Sequence, residues 1–261
     1  VQIFAGSAMV LEGDYAGGVV VGDRQQKQPT KNAGGELQLG GGSVEDRPWS
    51  PNRIVIARDP HRLDAAFQAG STLDSAYEAQ PDPEAANQAI GKVTFLSDEV
   101  LSRSGMGRIV LNISGDYGFV LESGASLDLS PGATFIASGG DRSTNPMRID
   151  GAIRAPGGSI VLGTMDGPLT LGAEARLDVG GQWINAWRDG MAPARWAMDG
   201  GAIALQVGEL RVDPAAVLDV SGGGRVDRAK NGLPGLRVGN AGSLTLSGLT
   251  DKTDLSTFDI R

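Results

Sequence analysis

The chain lacks several residue types on which particular classes of protein depend. It contains no cysteine and a single histidine, His61. Disulfides and thiolate metal sites are therefore excluded, and the sequence predicts neither a metal site nor any other cofactor. The net charge of -8 at pH 7 argues against nucleic acid as a partner, because such affinity comes mainly from Lys and Arg on phosphates. No apolar run approaches the roughly 18 residues of a membrane-spanning helix, so no membrane span is predicted.

Aromatic residues are also scarce, at 5% of the chain, whereas glycine is abundant, with 40 of 261 residues. A compact domain with one central core usually relies on more large side chains than this. Short strands of small aliphatic residues, separated by tight glycine turns, suit such a composition better. Composition thus favours an all-β architecture.

Two short phrases recur along the chain. The pattern Gly-x-apolar-x-apolar begins at Gly35, Gly107, Gly158, Gly201 and Gly242. A Leu-Asp phrase, as in SLDLSPGA and VLDVSGGGR, recurs at residues 127–128, 177–178 and 218–219. The last four glycine phrases are spaced at about 40 to 50 residues, and self-similarity on this scale predicts a solenoid, a propeller or an array.

Alternation within the phrases decides among these architectures. Ile109, Leu111 and Ile113 are two residues apart, so they share one face of a strand. A propeller is the main rival, but its blades normally carry more aromatic residues and hairpin turns. We therefore predict a parallel β-helix, a solenoid in which each 40 to 50 residue unit makes about two coils.

The phrase at residues 217–224 illustrates one predicted strand and turn. Leu218 and Val220 are expected to point into the core, with Asp219 directed to solvent. The following glycines, residues 222–224, are expected to adopt positive φ and turn the chain at little steric cost.

The repeating pattern divides the chain into three segments. Residues 1–44 and 105–261 are predicted to form β-helix coils. Residues 45–104 interrupt them, since Asp59-Pro60 is a good helix start that is followed by apolar residues at helical spacing. A strand at residues 92–96 and a further helical turn from Ser97 complete this segment. It is predicted to be a partly helical insertion, either packed on the solenoid or protruding from it.

A long loop at residues 182–199 carries three of the four tryptophans. Its candidate ligand contacts are Trp183, Trp187, Arg188, Arg195 and Trp196. Flat aromatic rings and arginine forks bind sugar faces and acidic glycans. The alternative is that the rings fold back and cover the flank of the solenoid.

Five phrases in a fixed order carry a resemblance to a known family. They are LSRSGMGRIVLNISGD, GAIRAPGGSIVL, LGAEARLDVGGQWINAW, MDGGAIAL and VLDVSGGGRV. From about Leu101 onward the chain resembles the exoproteins of the filamentous-haemagglutinin type, which Gram-negative bacteria secrete by the two-partner route. One departure is Gly180, which stands where the family usually has serine in LDVSG.

The resemblance implies a right-handed β-helical fibre that is exported unfolded through an outer-membrane transporter. Such proteins are secreted or displayed on the cell surface and serve as adhesins, matrix proteins or toxin carriers. The chain is therefore expected to be an internal piece of the shaft, to have no catalytic residue, and to contact an extracellular glycan or a host receptor through its loops.

An enzymatic alternative stays open. A β-helical lyase or glycoside hydrolase would need carboxylates at suitable spacing on one face of the solenoid. Asp141, Asp150 and Asp166 are candidates for that role.

Overall fold

The computed structural model describes residues 1–4, 9, 11, 13–19, 34–41, 43–44, 47–48, 53–58, 68, 93–113, 118–139, 146–164, 166–185, 199–228 and 234–248. The first strands are β1 (Gln2–Ile3), β2 (Glu36–Leu39), β3 (Ser43–Val44), β4 (Arg47–Pro48), β5 (Arg53–Ala57) and β6 (Val93–Ser97). They are followed by the helix α1 (Asp98–Arg103) and by β7 (Arg108–Ile113), β8 (Gly118–Leu121), β9 (Ser126–Asp128), β10 (Thr134–Gly139), β11 (Met147–Ile149) and β12 (Ala152–Arg154). The remaining strands are β13 (Ser159–Gly163), β14 (Pro168–Leu171), β15 (Arg176–Asp178), β16 (Trp183–Asn185), β17 (Ala202–Gln206), β18 (Glu209–Val212), β19 (Val217–Asp219), β20 (Gly224–Arg228), β21 (Pro234–Val238) and β22 (Ser243–Ser247).

Most of these strands lie in three parallel sheets. The first sheet has the order β1-β2-β7-β10-β13-β17-β22, the second has the order β18-β14-β11-β8-β5-β6, and the third has the order β19-β15-β12-β9. The side sheet, β16-β20-β21, combines one parallel and one antiparallel pairing. A short antiparallel hairpin joins β3 and β4. The expected all-β, parallel class is confirmed.

Four times in the described residues, three consecutive strands join the first, the second and the third parallel sheet in that order. These four structural repeats are β7-β8-β9, β10-β11-β12, β13-β14-β15 and β17-β18-β19. Equivalent residues of successive repeats are direct pairing partners, so Leu127, Ile153, Leu177 and Leu218 form one ladder in the third sheet. The recurring Leu-Asp phrase is the third-sheet strand of a repeat.

Aliphatic side chains from all three sheets form one buried cluster. In the first sheet, Ile109, Leu111 and Ile113 are each 2% exposed or less, which confirms the face predicted for them. Phe119 and Phe135 pack with their ring centroids 6.1 Å apart. Because parallel strands stack about 4.8 Å apart, side chains of similar size in successive repeats fill the interior with few large aromatics.

The recurring glycine occupies a position where repeats approach each other closely. A Cβ on Gly158, Gly201 or Gly242 would lie less than 3.0 Å from a backbone carbonyl oxygen of the preceding repeat. The residue after the glycine donates its N–H to the same carbonyl, as Ala202 does to Gly158 at 2.9 Å. Ala133 occupies the equivalent position before β10, so that repeat lacks the glycine.

In two of the three Leu-Asp phrases the aspartate caps the turn that follows its strand. Oδ1 of Asp178 accepts the N–H of Gly180 at 2.8 Å, and Oδ1 of Asp219 accepts the N–H of Ser221 at 2.8 Å. The donor is a backbone group in both turns. Glycine at position 180 therefore keeps the bond that serine would make.

The segment 45–104 contributes to the second sheet. β5 pairs in parallel with both β6 and β8, and its described residues are buried on both faces. The helix predicted to start at Asp59-Pro60 lies outside the described residues, apart from residue 68. The predicted strand and helical turn are confirmed as β6 and α1, and the Ser97 side chain accepts the N–H of Val100 at the start of α1.

α1 lies beside the edge of the third sheet. The buried Asp98 carboxylate accepts the N–H of Ser126 at 2.8 Å. The Ser102 hydroxyl accepts the N–H of Asp128 at 2.9 Å and donates to the Ser126 carbonyl. These side chains satisfy backbone groups of β9, which protects an edge strand from pairing with another chain.

The spacing of the glycine phrases has a structural explanation that differs from the prediction. The interval from Gly107 to Gly158 contains two repeats, as expected. In the two later intervals the described residues form one repeat each, together with strands of the side sheet. Part of the extra length there lies in β16, β20 and β21.

Candidate functional site

The structure describes one of the five predicted ligand contacts. Trp183 begins β16 and is 65% exposed. Trp187, Arg188, Arg195 and Trp196 lie outside the described residues. The predicted glycan contact at these four positions therefore stays a prediction.

The Trp183 ring lies over a glycine of the neighbouring strand. Trp183 and Gly224 are direct pairing partners, and a Cβ on Gly224 would come within 2.7 Å of the indole ring. Gly222 and Gly223 likewise have backbone oxygen atoms where a Cβ would be. None of these three described glycines has positive φ, so the positive φ expected at 222–224 is wrong, and the close approach of other atoms explains the glycines instead.

The side sheet exposes apolar residues on the face that carries Trp183. Val238 pairs with Gly224 and Leu236 pairs with Val226, which places both on the same face as the tryptophan. Leu236 is 64% exposed and Val238 is 70% exposed. Exposed apolar residues that cluster in this way mark contact surfaces more often than isolated ones do.

A second candidate site is a groove at the corner between the second and third sheets. In three repeats this corner is a turn that spans residues 122–125, 172–175 or 213–216, each closed by a backbone hydrogen bond of 2.9 to 3.1 Å. In the repeat β10-β11-β12 the corner consists of residues 150–151 alone. The shorter connection recesses this corner relative to its neighbours.

Polar side chains line the recessed corner and the adjoining face of the second sheet. The groove encloses about 690 Å³. Its polar lining residues are Ser123, Arg148, Asp150, Thr170, Glu174, Arg211 and Asp213. Ala173 and Pro214 add apolar surface, so the groove offers hydrogen-bonding groups beside short apolar stretches.

Pairing register places the groove residues in a row. Arg148, Thr170 and Arg211 are successive direct partners on β11, β14 and β18. All three alternate with buried residues of their strands, so their side chains share the outer face of the second sheet. The two arginines are two strands apart, or roughly 10 Å along the row.

The Asp150 carboxylate is held inside the groove. Arg148 Nε donates to its Oδ2, and a Cβ on Gly172 would overlap its Oδ1. Gly172 thus provides the space that the carboxylate occupies. On either side of this corner, the turns at 122–125 and 172–175 are linked, because the Ser123 hydroxyl donates to Glu174 Oε2 at 2.7 Å.

Of the three carboxylates of the enzymatic alternative, the structure describes Asp150 and Asp166. Asp150 lies in the groove, together with Glu174 and Asp213. Asp166 is exposed and precedes β14, and Asp141 lies outside the described residues. The single histidine also lies outside them.

Sequence reasoning did not identify most of the groove. Arg148, Thr170 and Arg211 belong to short strands whose alignment is invisible until the repeats are placed in register. The sequence did contain one signal of the groove: only two residues, Asp150 and Gly151, separate the apolar strands β11 and β12. Comparison of corner lengths among the repeats would have found it.

Neither a metal-binding cluster nor a membrane-spanning helix occurs in the described part of the chain. Histidine and carboxylate groups there do not gather in the sets of three or more that hold a metal ion. The helix within these residues lacks the length and apolar character needed to cross a bilayer.

Comparison of the chain with protein-family models, with characterised proteins and with solved structures found no match in any of the three.

Proposed function

We propose that the chain is a segment of a right-handed parallel β-helix that forms part of the shaft of a bacterial adhesin or fibre protein. The observation that carries the proposal is the in-register stacking of four repeats, each with one strand in the same three parallel sheets. The handedness and the filamentous-haemagglutinin type come from the resemblance in the sequence.

The proposed role is mechanical. Each repeat buries aliphatic residues against its neighbours and adds about 4.8 Å of length. In this proposal the chain crosses the outer membrane unfolded through a two-partner-secretion transporter, and it folds at the cell surface or outside the cell. The absence of cysteine is compatible with that route, since no disulfide has to be avoided during passage.

Electron microscopy of the purified chain tests the proposed shape. The expected particle is a rod of constant cross-section, because the repeats stack along one axis. A concatenated chain that carries the repeat segment twice is expected to give a longer rod of unchanged width. Particles that widen instead of lengthening would contradict a shaft.

We propose that adhesion involves the side sheet and the tryptophan loop. The supporting observations are the exposure of Trp183 and the apolar face it shares with Leu236 and Val238. Tryptophan fluorescence, titrated with bacterial and host polysaccharides, tests this. A saturable change that Trp183→Ala or Trp187→Ala abolishes is expected, with Trp49 as an internal reference outside the loop.

The position of Asp150 favours a second candidate function, a carbohydrate-active enzyme. Asp150 and Asp213 follow aligned residues two strands apart, so their backbones lie roughly 10 Å from each other. The two carboxyl groups of inverting glycosidases are about 6.5–9.5 Å apart. Release of reducing sugar that Asp150→Asn abolishes would support the enzyme. Absence of turnover over a broad polysaccharide panel would favour the purely adhesive function.

A further inference from the structure

We infer that the groove at the shortened corner is a binding site for an uncharged saccharide. Its lining residues differ from those of the predicted tryptophan-loop site, and the inference rests on the proposed function in so far as a shaft segment contacts glycans. Three observations support it: the mixture of charges in the groove, the direction of the hydrogen bonds available there, and the way the backbone creates the space.

The first observation concerns charge. Asp150, Glu174 and Asp213 bring three negative charges to the groove, and Arg148 and Arg211 bring two positive ones. The carboxylates would repel an anionic ligand, and the guanidinium groups would repel a cationic one. Either ligand would also lose the solvation of its charge. An uncharged ligand avoids both costs.

The second observation concerns hydrogen-bond direction. The Asp150 carboxylate accepts only, whereas the Arg148 guanidinium beside it donates only. A ligand that meets both needs donors and acceptors within a few ångströms of each other. Hydroxyl groups have both functions, and two hydroxyls on adjacent carbons of a sugar ring can donate to Asp150 and accept from Arg148.

Thr170 extends this arrangement. Thr170 lies between Arg148 and Arg211 in the row on the second sheet, so a further hydroxyl of the ligand reaches its side chain. Ala173 and Pro214 offer apolar surface for the C–H face of a sugar ring. A groove of about 690 Å³ is within the usual range for small-molecule sites.

The third observation is that the site is built by the backbone. The corner at residues 150–151 is shorter than those of the flanking repeats. Gly151 permits this, since a Cβ there would lie within 3.0 Å of the Glu122 carbonyl oxygen, and Gly172 leaves room for the Asp150 carboxylate. The recess therefore does not depend on a movable side chain.

Isothermal titration of the whole chain with uncharged gluco-, galacto- and manno-oligosaccharides tests the inference. At least one of these is expected to bind. Asp150→Asn keeps the size of the side chain but removes its charge, and is expected to weaken binding about 10- to 100-fold. Thr170→Val removes one hydroxyl, and is expected to weaken binding about 3- to 10-fold.

Matched control variants are available on other faces. Asp178→Asn changes a carboxylate that is also paired with an arginine, Arg154, at 3.3 Å in the third sheet. Thr134→Val changes a half-buried threonine on the first sheet. Both controls are expected to leave the affinity within about twofold, and circular dichroism checks that every variant keeps its β structure.

Several results would overturn the inference. These are no binding of any uncharged oligosaccharide, equal affinity in the Asp150→Asn variant, and binding of uronate oligosaccharides or calcium in preference to uncharged sugars. Rod-shaped particles that bind cells in spite of such a result would leave the proposed shaft function intact. Particles that are not rods would instead contradict the proposed shaft function, whatever ligand the groove binds.

Discussion

Replacement of Gly158 by alanine tests why glycine recurs in this chain. Gly158 directly precedes β13, and a Cβ there would lie less than 3.0 Å from the carbonyl oxygen of Ala133. The same oxygen accepts the N–H of Ser159 at 2.9 Å. Because the obstructing atom belongs to the backbone, relief of the overlap requires the two repeats to move apart.

The expected cost of Gly158→Ala has two parts. Overpacking of a close contact costs about 1–3 kcal/mol, and weakening of the Ser159 hydrogen bond costs about 0.5–1.5 kcal/mol. The free energy of unfolding should therefore fall by roughly 2–4 kcal/mol. For a chain of this size the thermal midpoint should drop by about 5–15 °C.

The matched control is Gly163→Ala, at the other end of β13. The nearest atom to a Cβ there is the Gln206 carbonyl oxygen at 3.7 Å, an ordinary contact. Its φ is not positive, so the change should alter the unfolding free energy by no more than about 1 kcal/mol. Urea and thermal denaturation followed by circular dichroism measure both variants. Equal losses in both, or a change below about 1 kcal/mol for Gly158→Ala, would refute close packing of successive repeats as the reason for the glycine.

Three further predictions concern the core, the helix at the sheet edge and one tyrosine. Leu162→Ala empties a fully buried position and should cost about 2–5 kcal/mol in urea denaturation, a range that an exposed site would not reach. Asp98→Ala removes the acceptor of the Ser126 N–H and should cost about 1–3 kcal/mol; Asp98→Asn, which keeps an acceptor oxygen, should cost less, and an equal cost would show that charge rather than the bond matters. Burial raises the pKa of Tyr15 above 10.0. Because the unfolded chain then loses this proton first, stability should decline as pH rises above about 10, and Tyr15→Phe should reduce that decline; ultraviolet difference absorbance follows the phenolate.

Much of the fold could be predicted because it depends on patterns local to each strand. Ile109, Leu111 and Ile113 alternate with other residues, and this alternation alone places them on one face. The repeated phrases likewise predict parallel, in-register pairing, since equivalent strands bury equivalent faces. The glycine pattern did not identify the repeat β10-β11-β12, because Ala133 stands where the others have glycine.

The side sheet could not be predicted from patterns local to each strand. Gly222 and Gly224 predicted a turn with positive φ, but in the structure their φ angles are not positive, and other backbone atoms or the Trp183 ring come close to them. A glycine that permits positive φ and one that permits close approach look identical in sequence. Only the neighbouring strand distinguishes them.

By itself the sequence determined the all-β class, the inward faces of the strands and the recurrence of one repeat, since each follows from spacing along the chain. The tertiary structure alone decided that Arg148, Thr170 and Arg211 form a row and that Asp150 occupies the space left by Gly172. These contacts join residues of different repeats. Their geometry depends on pairing register and on the length of each corner, and a shift of one residue in either would move the side chains to another face.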